Sequence, residues 1–391
     1  MNAAPITIPM QDLAAQHQSL EPELQAGLAK LLASGQFVQG EAVRRFEGEL
    51  ARACGAREAV TCNSGTDAIW LALRALDVGP GDAVLCPAFS FFASAAAIVR
   101  LGARPIFCDI DPGTLNLDPQ DARARMREAG AVRAVLSVDL FGRLCELGAL
   151  EAECARDGIP IVADAAQSIG ARDGLGRPVG ARTRIACLSF YPTKNLGALG
   201  DGGAILSDDE GVASRIARLR SHGESAPGIY GEVGINSRLD AFQAVALSIK
   251  LRQLEAWTEA RRALAAHYDA LFRAEGAGVA GGASTDTRLP LAILADPPSP
   301  ARHTYHRHVV RVAAERRSDL IAALRAEGIA CEVYYPRGLH EQPALAQHAP
   351  RRPLPEVERA TRECLALPLY PELGRARVER VATAVIAHLR R

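Results

Sequence analysis

Three short stretches of this 391-residue chain set chemically capable side chains among glycines and turns. In "SFYPTKNLGALGDGGAI", residues 189–205, one lysine, Lys194, precedes Gly197, Gly200, Gly202 and Gly203, and such glycines let backbone run close to a ligand. An amine placed there can attack a carbonyl and then act as a base, provided its pKa is lowered. In "IPIVADAAQSIGA" an apolar run ends at Asp164, with Gln167 three residues on; a carboxylate leaving a buried strand needs a cation or several donors. In "NSGTDA" Ser64, Gly65 and Thr66 lead into a helical pattern, so backbone amides, two hydroxyls and a position without a side chain make an anion site suited to a phosphate. Taken singly, each has a plainer use: Ser64 as an N-cap, Asp164 as a cap of the next helix, Lys194 as a solvated loop cation. Neither GxGxxG nor a P-loop is present.

The elements that must position these residues follow from the pattern around them. Across residues 58–207 the apolar segments "EAVTC", "AVLCPA", "RPIFCDI", "VRAVLSVDL", "IPIVADA", "IACLSF" and "GAILSD" alternate with helical patterns at 66–76, 90–101, 119–128 and 146–156. This predicts an α/β domain around a mostly parallel, buried sheet, with some antiparallel pairing among the last three segments, which have less than a helix between them. Ligands of such sheets collect beyond the carboxyl ends of the strands, where all three stretches fall. An anion cradle, a buried carboxylate and a lysine at one edge match a cofactor with a phosphate, a ring nitrogen and an aldehyde, which is pyridoxal phosphate.

Beyond residue 207 the pattern turns helical, with a long amphipathic stretch at 240–272. A glycine-, alanine- and proline-rich segment at 276–302 follows, in which "ILADPPSPARH" reads as a surface loop. Strand "HRHVVRV", a helix at 317–327, strand "ACEVYY" and helices at 357–365 and 375–389 predict a smaller α+β domain. The expected division is a large cofactor-binding domain with an N-terminal arm at 1–250 and a small domain at 251–391.

Composition narrows the function classes. The chain is 48% hydrophobic and 23% charged, and its 45 lysines and arginines equal its 45 aspartates and glutamates. That is an ordinary globular composition without the basic footprint of a nucleic-acid binder. No eighteen-residue apolar run and no signal-like start appears, so no membrane partner and a cytoplasmic location are expected. The nine cysteines form no CxxC pair and read as small apolar residues kept reduced. "HTYHRH" suggests a metal site, but on a strand His306 and His308 share a face while His303 points opposite, so no metal is expected.

Six ordered motifs carry a resemblance: "NSGTDA", "PAFSFFAS", "DAAQSIGA", "SFYPTKNLGALGDGG", "GINSRLDAFQAVAL", and "LHEQPAL" followed by "LALPLYPEL". Over residues 35–373 the chain resembles the DegT family of fold-type-I, PLP-dependent nucleotide-sugar aminotransferases. Within it the lysine motif is most similar to the dTDP-3-keto-6-deoxyhexose 3-aminotransferases. The resemblance implies that Lys194 is the Schiff-base lysine and proton carrier, that Asp164 keeps the pyridine nitrogen protonated, and that Gln167 bonds the phenolic oxygen. Phe91 would cover the ring, with Phe89 and Phe92 as neighbours for the same role. Ser64, Gly65, Thr66 and Ser189 would hold the phosphate, completed by Asn236 of the other subunit, so that a homodimer shares its active sites. Phe37, Tyr230, Arg238 and His306 are the implied substrate contacts; Tyr334 stands where many relatives carry histidine.

The implied reaction moves an amino group from L-glutamate, or glutamine, to a nucleotide-linked keto-deoxy-sugar. UDP- or GDP-keto-sugars, keto-cyclitols and aminohydroxybenzoate precursors are the alternative acceptors. A PLP-dependent sugar dehydratase of this family would carry histidine at position 194. A non-catalytic PLP-binding regulator would have lost one of Asp164, Gln167 or Lys194, and all three are present.

Overall fold

The seven apolar segments form one seven-stranded sheet in the computed structural model of the chain, which describes residues 6–282 and 288–391. The strands are β1 (Glu58–Cys62), β2 (Ala83–Pro87), β3 (Arg104–Cys108), β4 (Ala134–Val138), β5 (Ile161–Asp164), β6 (Ile185–Ser189) and β7 (Gly203–Ser207), in the spatial order β1-β7-β6-β5-β4-β2-β3. β7 alone is reversed, antiparallel to β1 and β6 on its two sides, and the remaining pairings are parallel. The α/β reading and the antiparallel pairing of the late segments are both borne out.

Every residue of β2, β4 and β7 is buried, as strands covered by helices on both faces must be. The two-residue period sorts their side chains. Cys62, Ile185, Cys187 and Ile205 join a core with the helices Gly65–Ala75, Ala93–Arg100 and Glu210–Leu219. Ala59, Ala186, Leu188 and Leu206 face the opposite way, against Gly40–Cys54 and Ala241–Leu251.

A second core lies in the C-terminal part of the chain, where β10 (Gly278–Val279), β11 (Leu291–Ile293), β12 (His308–Val312) and β13 (Cys364–Leu367) make a four-stranded sheet. An exposed hairpin of β8 (Glu224–Ala226) and β9 (Ile229–Tyr230) projects from the first domain. The small sheet packs with Ala314–Ala326, Arg375–Leu389 and the distal half of Leu254–Ala274. Ile8 of the N-terminal arm is buried in the same core and bridges to Ile329.

Four expectations are corrected. The amphipathic stretch 240–272 is two helices, Ala241–Leu251 and Leu254–Ala274, because its apolar stripe serves the large sheet through Ala244 and Leu247 but the small core through Leu264, Tyr268 and Phe272. "ACEVYY" is not a strand: only Glu332 pairs, with Ala366. Conversely, the end of the helix expected at 357–365 is strand β13, since a four-residue apolar run has no periodicity to separate the two states. The glycine-rich segment contains β10 and β11, and Ile293 of "ILADPPSPARH" belongs to β11; residues 283–287 lie outside the described ones. All nine cysteines are free and buried. Among the described residues no helix is long and apolar enough to cross a membrane.

Candidate active site

The carboxyl ends of β1, β2, β4, β5 and β6 open into one cavity of about 480 Å³. Its lining includes Ser64, Gly65, Thr66, Phe91, Asp164, Gln167, Ser189, Lys194 and His306, so nine of the expected residues meet in one place.

At one end Ser64 caps the helix Gly65–Ala75, its hydroxyl accepting from the Asp67 amide at 3.1 Å. The capping role is met, and the cap leaves other first-turn amides available to an anion. Gly65 lies so close to β6 that a Cβ there would stand 2.6 Å from Ser189 Cβ. Only glycine lets the Ser64–Thr66 turn and the Ser189 hydroxyl share this corner.

Asp164 ends β5 with 6% of its surface exposed. The Ser94 hydroxyl donates to its Oδ2 at 2.7 Å, and the Ala166 amide approaches Oδ1 at 3.3 Å. Burial raises the carboxyl pKa, opposed by Ser94 and by the charge of Lys194. Lys194 sits half-buried on the loop between β6 and β7. Desolvation lowers its ammonium to about 8; Asp164 resists that shift and Arg307 adds to it. The loop is held by its own backbone: Lys194 N donates to Tyr191 O at 2.8 Å, Ala198 N to Phe190 O at 2.7 Å and Phe190 N to Gly202 O at 2.8 Å. A Cβ on Gly197 would fall 2.2 Å from Pro192 O.

Gln167 accepts from the Phe141 amide at 2.7 Å and donates to the Tyr335 hydroxyl at 3.4 Å. Beneath it, buried Asp139 accepts from Arg182 at 2.8 Å, from Cys145 N at 2.8 Å and from the Ser168 hydroxyl at 2.9 Å, which fixes the turn that carries Gln167. His306 is buried, with Nδ1 3.0 Å from Asn195 Oδ1. Because Asn195 uses its amide nitrogen on Thr304 O at 3.2 Å, the Asn195 oxygen faces the ring. Nδ1 must then carry the proton, and Nε2 remains an acceptor. Burial, with Arg307 and Lys194 nearby, pushes this imidazole well below its ordinary pKa.

The DegT/DnrJ/EryC1/StrS aminotransferase family matches residues 18–386. The chain belongs to this family. It is 40% identical over 370 residues to a pleiotropic regulatory protein of Geobacillus stearothermophilus, covering 94% of this chain and 95% of that one. It is 38% identical over 379 residues to the dTDP-3-amino-3,4,6-trideoxy-alpha-D-glucose transaminase of Streptomyces venezuelae, covering 97% and 95%. The crystal structure of S. venezuelae DesV in complex with a ketimine intermediate superimposes with a TM-score of 0.91 at 36% identity, covering 99% of this chain and 100% of DesV.

This DegT-family chain does not bring every expected residue to its own cavity. Phe37 and Tyr230 are 50% and 60% exposed and stand away from it, and Asn236 is exposed, its Oδ1 accepting from Arg238 Nε at 3.0 Å. Of the three phenylalanines, Phe91 lines the cavity, whereas Phe89 is buried edge-on against Tyr335 with centroids 5.7 Å apart. The histidines of "HTYHRH" take separate partners: His303 stacks on Tyr305, His306 meets Asn195, and His308 bonds Asp269 at 2.8 Å in the small core. Among the described residues no cluster of three or more histidine, cysteine or carboxylate side chains could hold a metal. Sequence reasoning missed Ser94, Arg307 and Tyr335. Ser94 lies inside the quoted "PAFSFFAS", and Arg307 directly follows His306, but nothing in their spacing tells that they face Asp164 and the cavity.

Proposed function

We propose that this chain is a pyridoxal 5'-phosphate-dependent aminotransferase that moves an amino group from L-glutamate to a nucleotide-linked keto-deoxy-sugar, with dTDP as the nucleotide and carbon 3 as the acceptor position. The observation that carries the reading is the meeting of Asp164 and Lys194 in one cavity. There a desolvated amine near pKa 8 stands within the field of a buried carboxylate, at a distance from a phosphate-sized corner where a Cβ on Gly65 would collide with Ser189. These residues suit the cofactor: Ser64, Gly65, Thr66 and Ser189 for the phosphate, Asp164 for the ring nitrogen, Gln167 for the phenolic oxygen, Phe91 for the ring face and Lys194 for the aldehyde. Bound there, the cofactor supplies an electron sink for the carbon that loses its proton.

The chain's own groups do the rest. Lys194, whose neutral fraction is raised because it is desolvated, takes and returns the proton at its Nζ. Asp164 stays in place through Ser94, and its charge sustains a proton on the group facing it. The neutral His306 offers Nε2 as an acceptor to a sugar hydroxyl. Asn236, Phe37 and Tyr230, displayed on the outside, and the half-buried Arg238 would reach the cavity of a second copy, so that the active unit is a homodimer. UDP- and GDP-linked keto-sugars and keto-cyclitols are the alternative acceptors.

The test is spectroscopic and chemical. The purified protein should show a visible band that L-glutamate bleaches and that Lys194→Ala abolishes. A panel of nucleotide keto-sugars generated in situ, read by mass spectrometry for the amino-sugar, then identifies the acceptor. A band that persists in Lys194→Ala would sink the assignment.

A further inference from the structure

The cavity holds a second cation, Arg307, to which the cofactor reading gives no task. Arg307 is 8% exposed and lines the cavity, yet its Nη1 has no hydrogen-bond partner, and among the described residues the guanidinium makes no ion pair. Its side chain rests on the face of Tyr334, with Cζ 5.4 Å from the ring centroid. Its polar neighbours in the lining are Lys194, which it repels, the neutral His306, and the hydroxyls of Tyr334 and Tyr335, none of them an anion. A buried guanidinium without an anion is costly to keep, and its planar fork matches a carboxylate in a bidentate way that an ammonium cannot.

Resting on the transaminase reading, we propose that Arg307 is the carboxylate receptor for the amino-acid donor. The donor carries a carboxylate on the same carbon as the reacting amine, so this anion arrives wherever Lys194 works. The phosphates of a nucleotide sugar are held off from the keto carbon by the sugar ring itself. Arg307 thus receives an anion in the half of the cycle that begins with an amino acid. In the other half, once the 2-oxo acid has left, it faces the neutral sugar ring. Tyr334 fits this arrangement, since its ring face stabilises the guanidinium while the cavity is between anions.

Calorimetric titration of the purified holoenzyme and its Arg307→Met and Arg307→Lys variants with glutarate tests the proposal, with D-glucuronate and UDP as parallel arms. Glutarate has the donor's carboxylates but no amine, so binding is read without turnover. Arg307→Met should weaken glutarate binding about a hundredfold, the scale expected when one partner of a buried charge pair is removed. Arg307→Lys should fall between the two, and UDP should bind all three alike. The Lys194-dependent visible band, intact in each variant, reports that fold and cofactor site are preserved. Glutarate binding that is absent from the wild type, or unchanged in Arg307→Met, would overturn the assignment. So would an equal loss of UDP, loss of the cofactor band, or a dependence on Arg307 seen for glucuronate and not for glutarate. A wild-type band bleached by L-glutamate together with a negative glutarate result would reject only the role of Arg307; absence of that band would reject the transaminase reading itself.

Discussion

The depressed pKa of Lys194 predicts how the protein would react with pyridoxal phosphate under the proposed function. With a midpoint of about 8 in place of 10.5, about one Lys194 side chain in ten is neutral at pH 7, against roughly three in ten thousand for an ordinary lysine, a gain of about three hundredfold in reactive amine. The rate of covalent attachment of pyridoxal phosphate to the apoprotein, trapped with borohydride and located by peptide mass spectrometry, should rise with pH and level off above about 8. A free-amine control treated in the same way should keep rising to beyond pH 10. Asp164→Asn removes the neighbouring negative charge that favours the ammonium, so it should move the midpoint lower still. A midpoint near 10 in the wild type, or an upward move in Asp164→Asn, would refute the claim that desolvation, tempered by Asp164, sets the reactivity of this lysine.

Three further outcomes follow from the same geometry. Because the folded pKa of Lys194 is depressed, the unfolded chain binds more protons between about pH 8 and 10.5, so the stability of the apoprotein should rise with pH through that window. Lys194→Met should be more stable than the wild type at pH 7, by up to about 3 kcal/mol in urea denaturation, with the gap closing towards pH 10. Gly65→Ala, whose Cβ would stand 2.6 Å from Ser189 Cβ, should raise the dissociation constant for pyridoxal phosphate at least about tenfold in a spectroscopic titration, roughly 1.4 kcal/mol, while leaving the Lys194 midpoint in place. Arg182→Met strands the buried Asp139 carboxylate, whose partner now lies 2.8 Å away, and should cost about 3–5 kcal/mol in chemical denaturation, with disorder of the Gln167 turn visible as lost cofactor affinity.

The large sheet was legible because its strands are apolar runs bounded by turns and its helices carry their own period, so each element announced its type locally. The candidate site was legible for a related reason: Asp164 is the last residue of a strand and Ser64 and Lys194 lie a few residues past one, and a parallel sheet collects such positions at one edge. What failed were features decided by partners distant in sequence. Nothing local in "CLAL" distinguishes β13 from the last turn of the preceding helix; its pairing with His308–Val312 does. The bend near Arg252 exists because two different cores pull on one amphipathic stripe. Arg307 and Ser94 escaped for the same reason, as an arginine beside a histidine and a serine in a helix carry no mark of which buried group they will face. Asn236, Arg238, Phe37 and Tyr230 were singled out by resemblance, and the exposure of Asn236, Phe37 and Tyr230 in one chain is what groups destined for a second copy would display.

The loop around Lys194 is tied by main-chain bonds among Phe190, Tyr191, Lys194, Ala198 and Gly202, by the side chains of Gln11, Asn195 and Gln243, and by a glycine that admits no Cβ. None of these ties involves the amine. Scaffold and reagent are therefore separable under mutation: a descendant could exchange the side chain at position 194 and keep the loop, the phosphate corner and the fold. Loss of chemistry in such a lineage would leave a shape-preserving ligand receptor behind, reachable by a single substitution without passing through an unfolded intermediate.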